Sequence, residues 1–303
     1  MNYWKQTIGI VVESEIRPSI FKILNKKKIP LKLLNARITK KTFNKWMRIK
    51  KFSNSVFQNI SIAYPQNEET LNYLKKLNVK KIKKIGNLKF FNNQQSKLTK
   101  LDNTFLKNIN LKKIWCASST HPGEEIICAD VHTNLKKKYK NLLTIIIPRH
   151  IHRVNKIVNE IKSLDLNIVL HSSRPKKLNN TDIYLVDTYG ETQKFYHSSD
   201  IVFMGKSISG KGGQNPLEPT NLGSTVLYGP NVDNFKDTYK LLNKLKVAHK
   251  VNGVKSLTQS IDKLITKPNN KKNYLKIAKM GKKILNETKD EINSLFNNEI
   301  KKT

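Results

Sequence analysis

Short apolar runs of strand type alternate with helix-type periodicity along almost the whole of the 303-residue chain. That alternation leaves little choice of architecture. A helix that returns the chain to start another strand in the same direction builds a parallel sheet with helices on its faces. Thr7–Val12 reads as a buried strand, and Pro18 sits where proline is favoured, at the first position of a helix reaching Lys27. Leu31–Leu34 reads as the next strand and Thr42–Ile49 as a helix. Ser61–Tyr64 and Lys81–Ile85 read as strands around a helix Glu68–Leu77 that Asn67 caps. Phe91–Leu111 is polar, rich in Asn, Gln and Lys, and lacks a strong period, so a linker is expected over 93–110. The alternation then resumes with strands at Lys113–Ala117, Leu142–Ile147, Asn167–Leu170, Asp182–Val186, Ile201–Met204 and Thr225–Tyr228. Helical periodicity closes the chain at Lys236–Leu245, Ser256–Ile265 and Asn273–Phe296.

The expected fold class is therefore α/β, with two doubly wound, Rossmann-like domains. The first covers 1–92 and the second 111–303, the closing helices included. A length of 303 residues suits two domains of roughly 150 residues each. In such sheets ligands bind outside the carboxyl ends of the strands.

Charge narrows the partners. Lys and Arg number 57 against 22 Asp and Glu, a formal net charge of +35. Six of the basic residues are Arg and the other 51 are Lys, in a chain also rich in Asn and Ile. Two readings stand side by side, an A/T-rich coding sequence writing Lys at tolerant surface positions and selection for an anionic partner. Either way the field favours anionic membranes, nucleic acids or phosphorylated substrates. Against so many lysines each arginine is informative, since its planar fork and permanent charge are what Lys lacks.

Other classes drop out. No run approaches the roughly 20 apolar residues of a membrane span, and Met1–Ile10 is too short and too strand-like for a signal peptide. Cys116 and Cys128, the only cysteines, lie in apolar contexts that suit buried free thiols. No metal site is expected, since neither HExxH nor Asp-x-Asp occurs and two cysteines cannot make a zinc site alone.

Polar clusters crowd the ends of the strands in the second half. After Lys113–Ala117 comes Ser118-Ser119-Thr120-His121-Pro122-Gly123-Glu124-Glu125, where Ser119, Thr120, His121 and Glu124 are candidates for a donor cleft and equally for plain helix capping. Pro148-Arg149-His150 places a rare arginine at a strand end, suited to an anion or to a structural carboxylate. Tyr189-Gly190-Glu191 follows the strand Asp182–Val186, with a glycine that permits close backbone approach to a ligand. The most specific string is Gly212-Gly213-Gln214-Asn215-Pro216-Leu217-Glu218-Pro219. Its glycines and helix start suit a phosphate, and its carboxylate suits ribose hydroxyls.

With these strings in view, the sequence resembles the 3-deoxy-D-manno-octulosonic acid (Kdo) transferases, which add Kdo from CMP-Kdo to a lipid A precursor. Seven strings stand in family order: Glu13-Ser14-Glu15-Ile16-Arg17-Pro18, Asn35-Ala36-Arg37, Gly86-Asn87-Leu88-Lys89, Ser119-Thr120-His121 with Gly123-Glu124-Glu125, Pro148-Arg149-His150, Asp187 to Glu191, and Gly213 to Pro219. The resemblance implies a GT-B glycosyltransferase with an acceptor-binding first half and a donor-binding second half, and with neither metal nor cofactor. It implies cytidine monophosphate contacts at Pro148, Arg149, His150, Tyr189, Gly190, Glu191, Asn215, Pro216, Leu217 and Glu218. Glu13 and Lys89 would be the catalytic pair, stabilising positive charge on the sugar and negative charge on the departing phosphate. The partners implied are CMP-Kdo, the lipid A precursor and an anionic membrane surface, with no specific nucleic acid. The expected location is the cytoplasmic face of the bacterial inner membrane, with peripheral attachment.

Two departures stand out. Arg17 occupies a position where the family usually has Trp. The family also has a longer front, with a membrane anchor and a Gly-Glu motif whose carboxylate is the general base. The expectation is that the first domain is incomplete here and that transfer by this chain alone is weak or absent. The rival class is a basic, non-catalytic protein that binds nucleic acid or nucleotide. Against it, the lysines are spread along the chain and no recognition-helix or RNA-binding aromatic motif occurs.

Overall fold

A computed structural model describes residues 7–91, 101, 103–267 and 271–300. Two compact units emerge. The first holds residues up to Phe91 together with those from Ala278 onward, and the second holds Asn92–Ile277.

The first unit contains β1 (Gly9–Val12), α1 (Pro18–Lys26), β2 (Leu31–Ala36), α2 (Lys40–Arg48), α3 (Lys50–Phe57), β3 (Ile60–Pro65) and α4 (Glu68–Lys76). Its sheet has the order β1-β2-β3, and both pairings are parallel. The middle strand β2 is buried along its whole length, as a strand covered on both faces must be. Phe21, Leu33, Phe57, Ala63, Leu74 and Leu77 fill the core around it and are inaccessible to solvent. Side-chain caps start two of the helices, Thr39 accepting from the Thr42 amide and Asn67 from the Thr70 amide. The expected strand Lys81–Ile85 shrinks to one bridge between Ile82 and Ala63. The adjacent Lys83 and Lys84 break the alternation and put lysine on both faces, which leaves too little apolar surface for a longer ladder. The helix α3, in turn, is unanticipated. Its buried Ser53, Val56 and Phe57 sit among Lys, Ser and Asn that mask a helical period.

The second unit runs α5 (Asn103–Asn110), β4 (Lys113–Thr120), α6 (Glu124–Lys136), β5 (Leu142–Pro148), α7 (Val154–Lys162), β6 (Ile168–Leu170), β7 (Ile183–Leu185), α8 (Thr192–His197), β8 (Ile201–Met204), α9 (Leu217–Asn221), β9 (Thr225–Tyr228), α10 (Lys236–Lys244), β10 (Ala248–Lys250), α11 (Val254–Leu264) and the start of α12 (Lys271–Ile300). Its seven strands lie in the order β10-β9-β8-β4-β5-β7-β6, with every pairing parallel. The chain leaves β4 toward β5 on one side and returns to β8 on the other, so β4 marks the topological switch point. Both thiols lie fully buried in this unit, and burial pushes Cys116 and Cys128 well above the ordinary thiol range. Both units have the parallel α/β architecture the alternation implies; the second is doubly wound, whereas the first, with three strands in sequential order, has no reversal of strand order.

The expected domain limits need two corrections. Within the proposed linker, Asn103–Asn110 is a helix of the second unit. Its Phe105 packs 4.8 Å from the Tyr184 ring and 6.0 Å from Phe195, while residues 92–100 and 102 lie outside the described part. Residues from Ala278 onward group with the first unit rather than the second. The reason is contact: Tyr64 donates to Glu291 at 2.8 Å, and Lys83 pairs with the same carboxylate. Gly281 lies so close to the Phe90 carbonyl that a side chain there would collide with it.

Candidate functional site

In the second unit the loops that follow the strands all emerge at one edge of the sheet, because every strand runs the same way. Pro148, the last residue of β5, is buried, and Arg149 and His150 after it are exposed. The Arg149 amide donates to the Thr120 carbonyl at 3.0 Å, tying this turn to the end of β4. His121 and His150 meet edge to face at 5.7 Å between centroids, and His152 lies 5.5 Å from His150. Lost hydration, then the charges of His121, His152, Arg149 and Arg153, hold His150 below the ordinary histidine value. Arg149 is the permanent cation of this edge and attracts an anion, which neighbouring imidazoles can meet as hydrogen-bond donors.

Tyr189, Gly190 and Glu191 leave the end of β7. Tyr189 is 73% exposed, Gly190 adopts φ +83 with open space beside it, and Glu191 pairs with Lys194 at 2.7 Å. Asp187 folds the neighbouring loop by accepting from the Ser172 amide and hydroxyl. Past β8, Asn215 accepts from the Leu217 amide at 3.2 Å and so starts α9. Pro216 and Leu217 are buried, whereas Glu218 is exposed. Gly212 (φ +91) would push a side chain into Asn234, and Gly213 (φ +67) into Val232. The glycine pair is therefore required by a close approach in left-handed backbone. The five residues of α9 carry little macrodipole, so the preference for an anion rests on the charged side chains rather than on the helix.

Two of the expected cleft residues face inward instead. The Glu124 side chain is wholly buried, and its carboxylate accepts from five backbone amides: His121 at 3.0 Å, Lys206 at 2.7 Å, Ser207 at 3.0 Å, Ile208 at 2.9 Å and Ser209 at 3.3 Å. An internal carboxylate thus occupies the anion nest that the 206–209 loop makes, and no ligand reaches it. Thr120 is equally buried and donates to Glu125 at 2.9 Å. Ser119 stands in left-handed backbone (φ 55), and its carbonyl lies 3.1 Å from His121 Nδ1. Of the string Ser119-Thr120-His121…Glu124, only His121 joins the cationic edge.

Sequence reasoning missed Glu125 and Arg153. The Arg153 fork grips the buried Glu125 carboxylate with 2.9 and 3.2 Å contacts. Here the structural pairing that the rarity of arginine left open is realised. A buried triad of His132, Asp182 and Thr144 lies nearer the amino ends of the strands. His132 Nδ1 is 2.8 Å from Thr144 Oγ1 and its Nε2 is 3.3 Å from Asp182. Burial holds His132 below the ordinary histidine value and outweighs the pull of Asp182 toward the charged form. Burial also opposes the Asp182 charge, but Lys136 at 2.6 Å and the Asn167 amide overcome it and keep its value low. The triad supports the fold at the far edge of the sheet from the cationic cluster.

In the first unit, Glu13 follows β1 in left-handed backbone (φ 56), and its carboxylate meets the Lys89 ammonium at 2.8 Å, both half exposed. The segment bearing Lys89 is anchored from below. Asn35 Oδ1, at the end of β2, accepts from the Leu88 amide at 3.1 Å, and Asn87 Oδ1 accepts from the Lys89 amide at 3.0 Å. Arg37 donates its amide to the Glu13 carbonyl at 3.2 Å. Three strings distant in sequence therefore meet at the carboxyl edge of the first sheet. No cluster of three or more potential metal ligands exists among the described residues.

Comparison with known proteins follows the same division. A family profile described as 3-deoxy-D-manno-octulosonic-acid transferase (kdotransferase) matches residues 1–92. The chain is 32% identical over 307 residues to a 3-deoxy-D-manno-octulosonic acid transferase of Rickettsia bellii, with 98% of this chain and 72% of that protein covered. It is 31% identical to the protein of that name from Rickettsia typhi, of which it spans 63%. Among solved structures, the C-terminal CMP-Kdo-binding domain of an Acinetobacter baumannii protein superposes with a TM-score of 0.52 at 23% identity, over 60% of this chain and 91% of that one. A UDP-GlcNAc 2-epimerase of Neisseria meningitidis matches with a TM-score of 0.63 at 16% identity, over 98% of this chain and 77% of that one. These likenesses place the fold in the GT-B class.

Proposed function

Because the chain belongs to the 3-deoxy-D-manno-octulosonic acid transferase family, we propose that it works in lipopolysaccharide biosynthesis by moving Kdo from CMP-Kdo to a lipid A precursor. The observation that carries the donor reading is the cationic edge of the second sheet. Arg149 and His150, with His121 beside them, stand at the carboxyl ends of β4 and β5, flanking the switch point where open α/β sheets bind ligands. The phosphate of the cytidine nucleotide belongs against Arg149, whose fork suits phosphate oxygens. Glu218, exposed in the first turn of α9, accepts from ribose hydroxyls, and the exposed Tyr189 ring offers a surface for stacking. Gly190 lets the backbone of its loop approach closely. Buried Pro216 and Leu217, with the Asn215 carboxamide oxygen on the Leu217 amide, hold Glu218 in place.

In the reaction an acceptor hydroxyl oxygen bonds to the anomeric carbon of Kdo as the bond from that carbon to the phosphate oxygen breaks. CMP leaves with the electron pair, and the hydroxyl proton passes to a base. Positive charge grows on the sugar and negative charge on the phosphate. Glu13 and Lys89, a fixed carboxylate and ammonium, are suited to oppose these two charges, and their mutual ion pair keeps both in place before substrate arrives. Since the acceptor is a lipid, we assign the reaction to the cytoplasmic face of the inner membrane.

The test is calorimetric titration with CMP followed by a transfer assay with CMP-Kdo and lipid A precursor. CMP binding that weakens at least tenfold in Arg149→Ala supports the donor reading. CMP affinity no better than that for an unrelated nucleotide, or unchanged by Arg149→Ala, would sink it. Tighter binding to an oligonucleotide of equal charge would favour the rival, nucleic-acid class.

A further inference from the structure

The helix pair α2–α3 in the first unit is at odds with a purely soluble surface. No residue of α2 is buried. The two helices break at Ile49, and the corner so formed exposes Ile49 by 50% and Phe52 by 51%. Lys45, Arg48, Lys50 and Lys51 flank these two apolar side chains in the chain and Lys40 and Lys41 open α2, and the chain has no acidic residue at all between Glu15 and Glu68. No ion pair engages any of the six cations among the described residues.

We propose that the α2–α3 corner is a membrane-docking element, which sets Ile49 and Phe52 into the interface of an anionic bilayer while the six cations contact its headgroups. The chemistry is that of a surface-lying amphipathic segment, in which apolar burial and electrostatic attraction act together. Rigid aromatic packing holds the corner in shape. Trp46 meets Phe57 edge to face at 5.3 Å and Phe52 at 6.4 Å, and Phe43 stacks on Tyr73 at 4.1 Å. With Phe43 and Trp46 engaged in this way, Phe52 alone of these rings is exposed, too few for the successive platforms on which single-stranded nucleic acid stacks. An apolar tip of one aliphatic and one aromatic side chain, flanked by cations in the chain, suits the lipid interface. Position adds a reason. Only Arg37, Ile38 and Thr39 separate β2 from α2, so the helix that leads into the corner starts from the same edge of the sheet as Glu13 and Lys89. A lipid acceptor gives that placement a use, and only this last point rests on the proposed function. The docking itself needs neither donor nor acceptor.

The experiment uses the full chain with vesicles of phosphatidylcholine alone or with added phosphatidylglycerol, and no lipid A. Both native cysteines are fully buried, so Phe52→Cys, and as a control Lys76→Cys on α4, can be labelled singly with an environment-sensitive dye. Binding should require phosphatidylglycerol. The label at position 52 should shift to the blue and be quenched by lipid-borne quenchers, while that at position 76 should not. Each cation near an anionic leaflet contributes about fivefold, so Lys45, Arg48, Lys50 and Lys51 all changed to Gln should lower vesicle affinity on the order of 500-fold. Ile49→Ser with Phe52→Ser should lower it by about tenfold or more. All these side chains are exposed, and an unchanged circular dichroism spectrum and CMP affinity show that the variants remain folded. Vesicle binding that persists in the fourfold variant, or a label at 52 that stays in water when the protein is bound, overturns the proposal. So does tighter binding of this corner to single-stranded RNA than to anionic vesicles. None of these outcomes touches the donor reading, which CMP affinity tests separately.

Discussion

Replacing Glu124 by Gln should loosen the loop between β8 and α9 far more than a single-atom change suggests. In the native chain one carboxylate oxygen takes the amides of His121 and Lys206, and the other takes Ser207, Ile208 and Ser209. In Gln the best arrangement keeps the carbonyl oxygen on the three-amide side. The new NH2 group then faces the His121 and Lys206 amides, donor against donor. Two charge-assisted bonds are lost, each worth about 1.5–3 kcal/mol, and two buried amides are left unpaired. The remaining three bonds weaken because their acceptor is neutral. Partial relaxation of the loop offsets some of this, so the expected loss is about 3–5 kcal/mol, in the range for breaking a buried ionic network. Amide hydrogen exchange reads the effect at its source, since protection of residues 206–209 should fall together, and a urea midpoint gives the global part. CMP affinity should fall as well, because that loop leads into Asn215 and Glu218. Glu125→Gln is the companion variant. It should free the Arg153 fork and leave the 206–209 amides protected. Native-like protection of those amides in Glu124→Gln would refute the reasoning, as would a loss below about 1 kcal/mol.

Further expectations concern pH, donor and catalysis. Because His132 is held below its ordinary value in the folded state, it adds stability above the unfolded value near 6.5 and loses it as pH falls through that point, at up to about 1.4 kcal/mol per pH unit. Urea midpoints at pH 7.5 and 5.5 should therefore differ more in the native chain than in His132→Gln, and equal differences would count against a neutral buried imidazole. Asp182 has the corresponding carboxylate sense, its contribution being present above the ordinary aspartate value and lost only in more acid solution. Glu218→Ala should weaken CMP binding by about 1–3 kcal/mol if the carboxylate accepts ribose hydroxyls, and 2′,3′-dideoxy-CMP should erase that difference. Lys89→Ala should leave the melting temperature within about 2 °C, since a half-exposed ion pair adds little stability. It should nonetheless lower turnover by about 10²–10³ as a lost charge at the transition state, while a matching drop in melting temperature would recast Lys89 as structural.

Much of this protein is legible along the chain because a parallel sheet writes itself as local pattern. The run Leu142–Ile147, apolar but for Thr144, announces a strand covered on both faces, and Asn67 before Glu68-Glu69 announces a helix start, each from a few neighbouring residues. The strings at the strand ends are equally local, so Arg149, Tyr189, Gly190 and Glu218 could be named as candidates before any contact was known, whereas Glu13 and Lys89 stand out only through the resemblance to a family. What a residue does after folding depends on what is laid over it. Glu124 and Glu125 are adjacent, both acidic and both in the first turn of α6, and nothing near them separates their roles. One becomes the anchor for a loop more than 80 positions away and the other the partner of Arg153, because β8 returns beside β4 and α7 beside α6. The same holds for Phe105, hidden in a polar stretch until Tyr184 and Phe195 supply the surface it buries against. It holds again for α12, whose sequence reads as one continuous helix and whose residues from Ala278 pack with the first unit. Periodicity records that a face is buried. Only the tertiary structure decides against what.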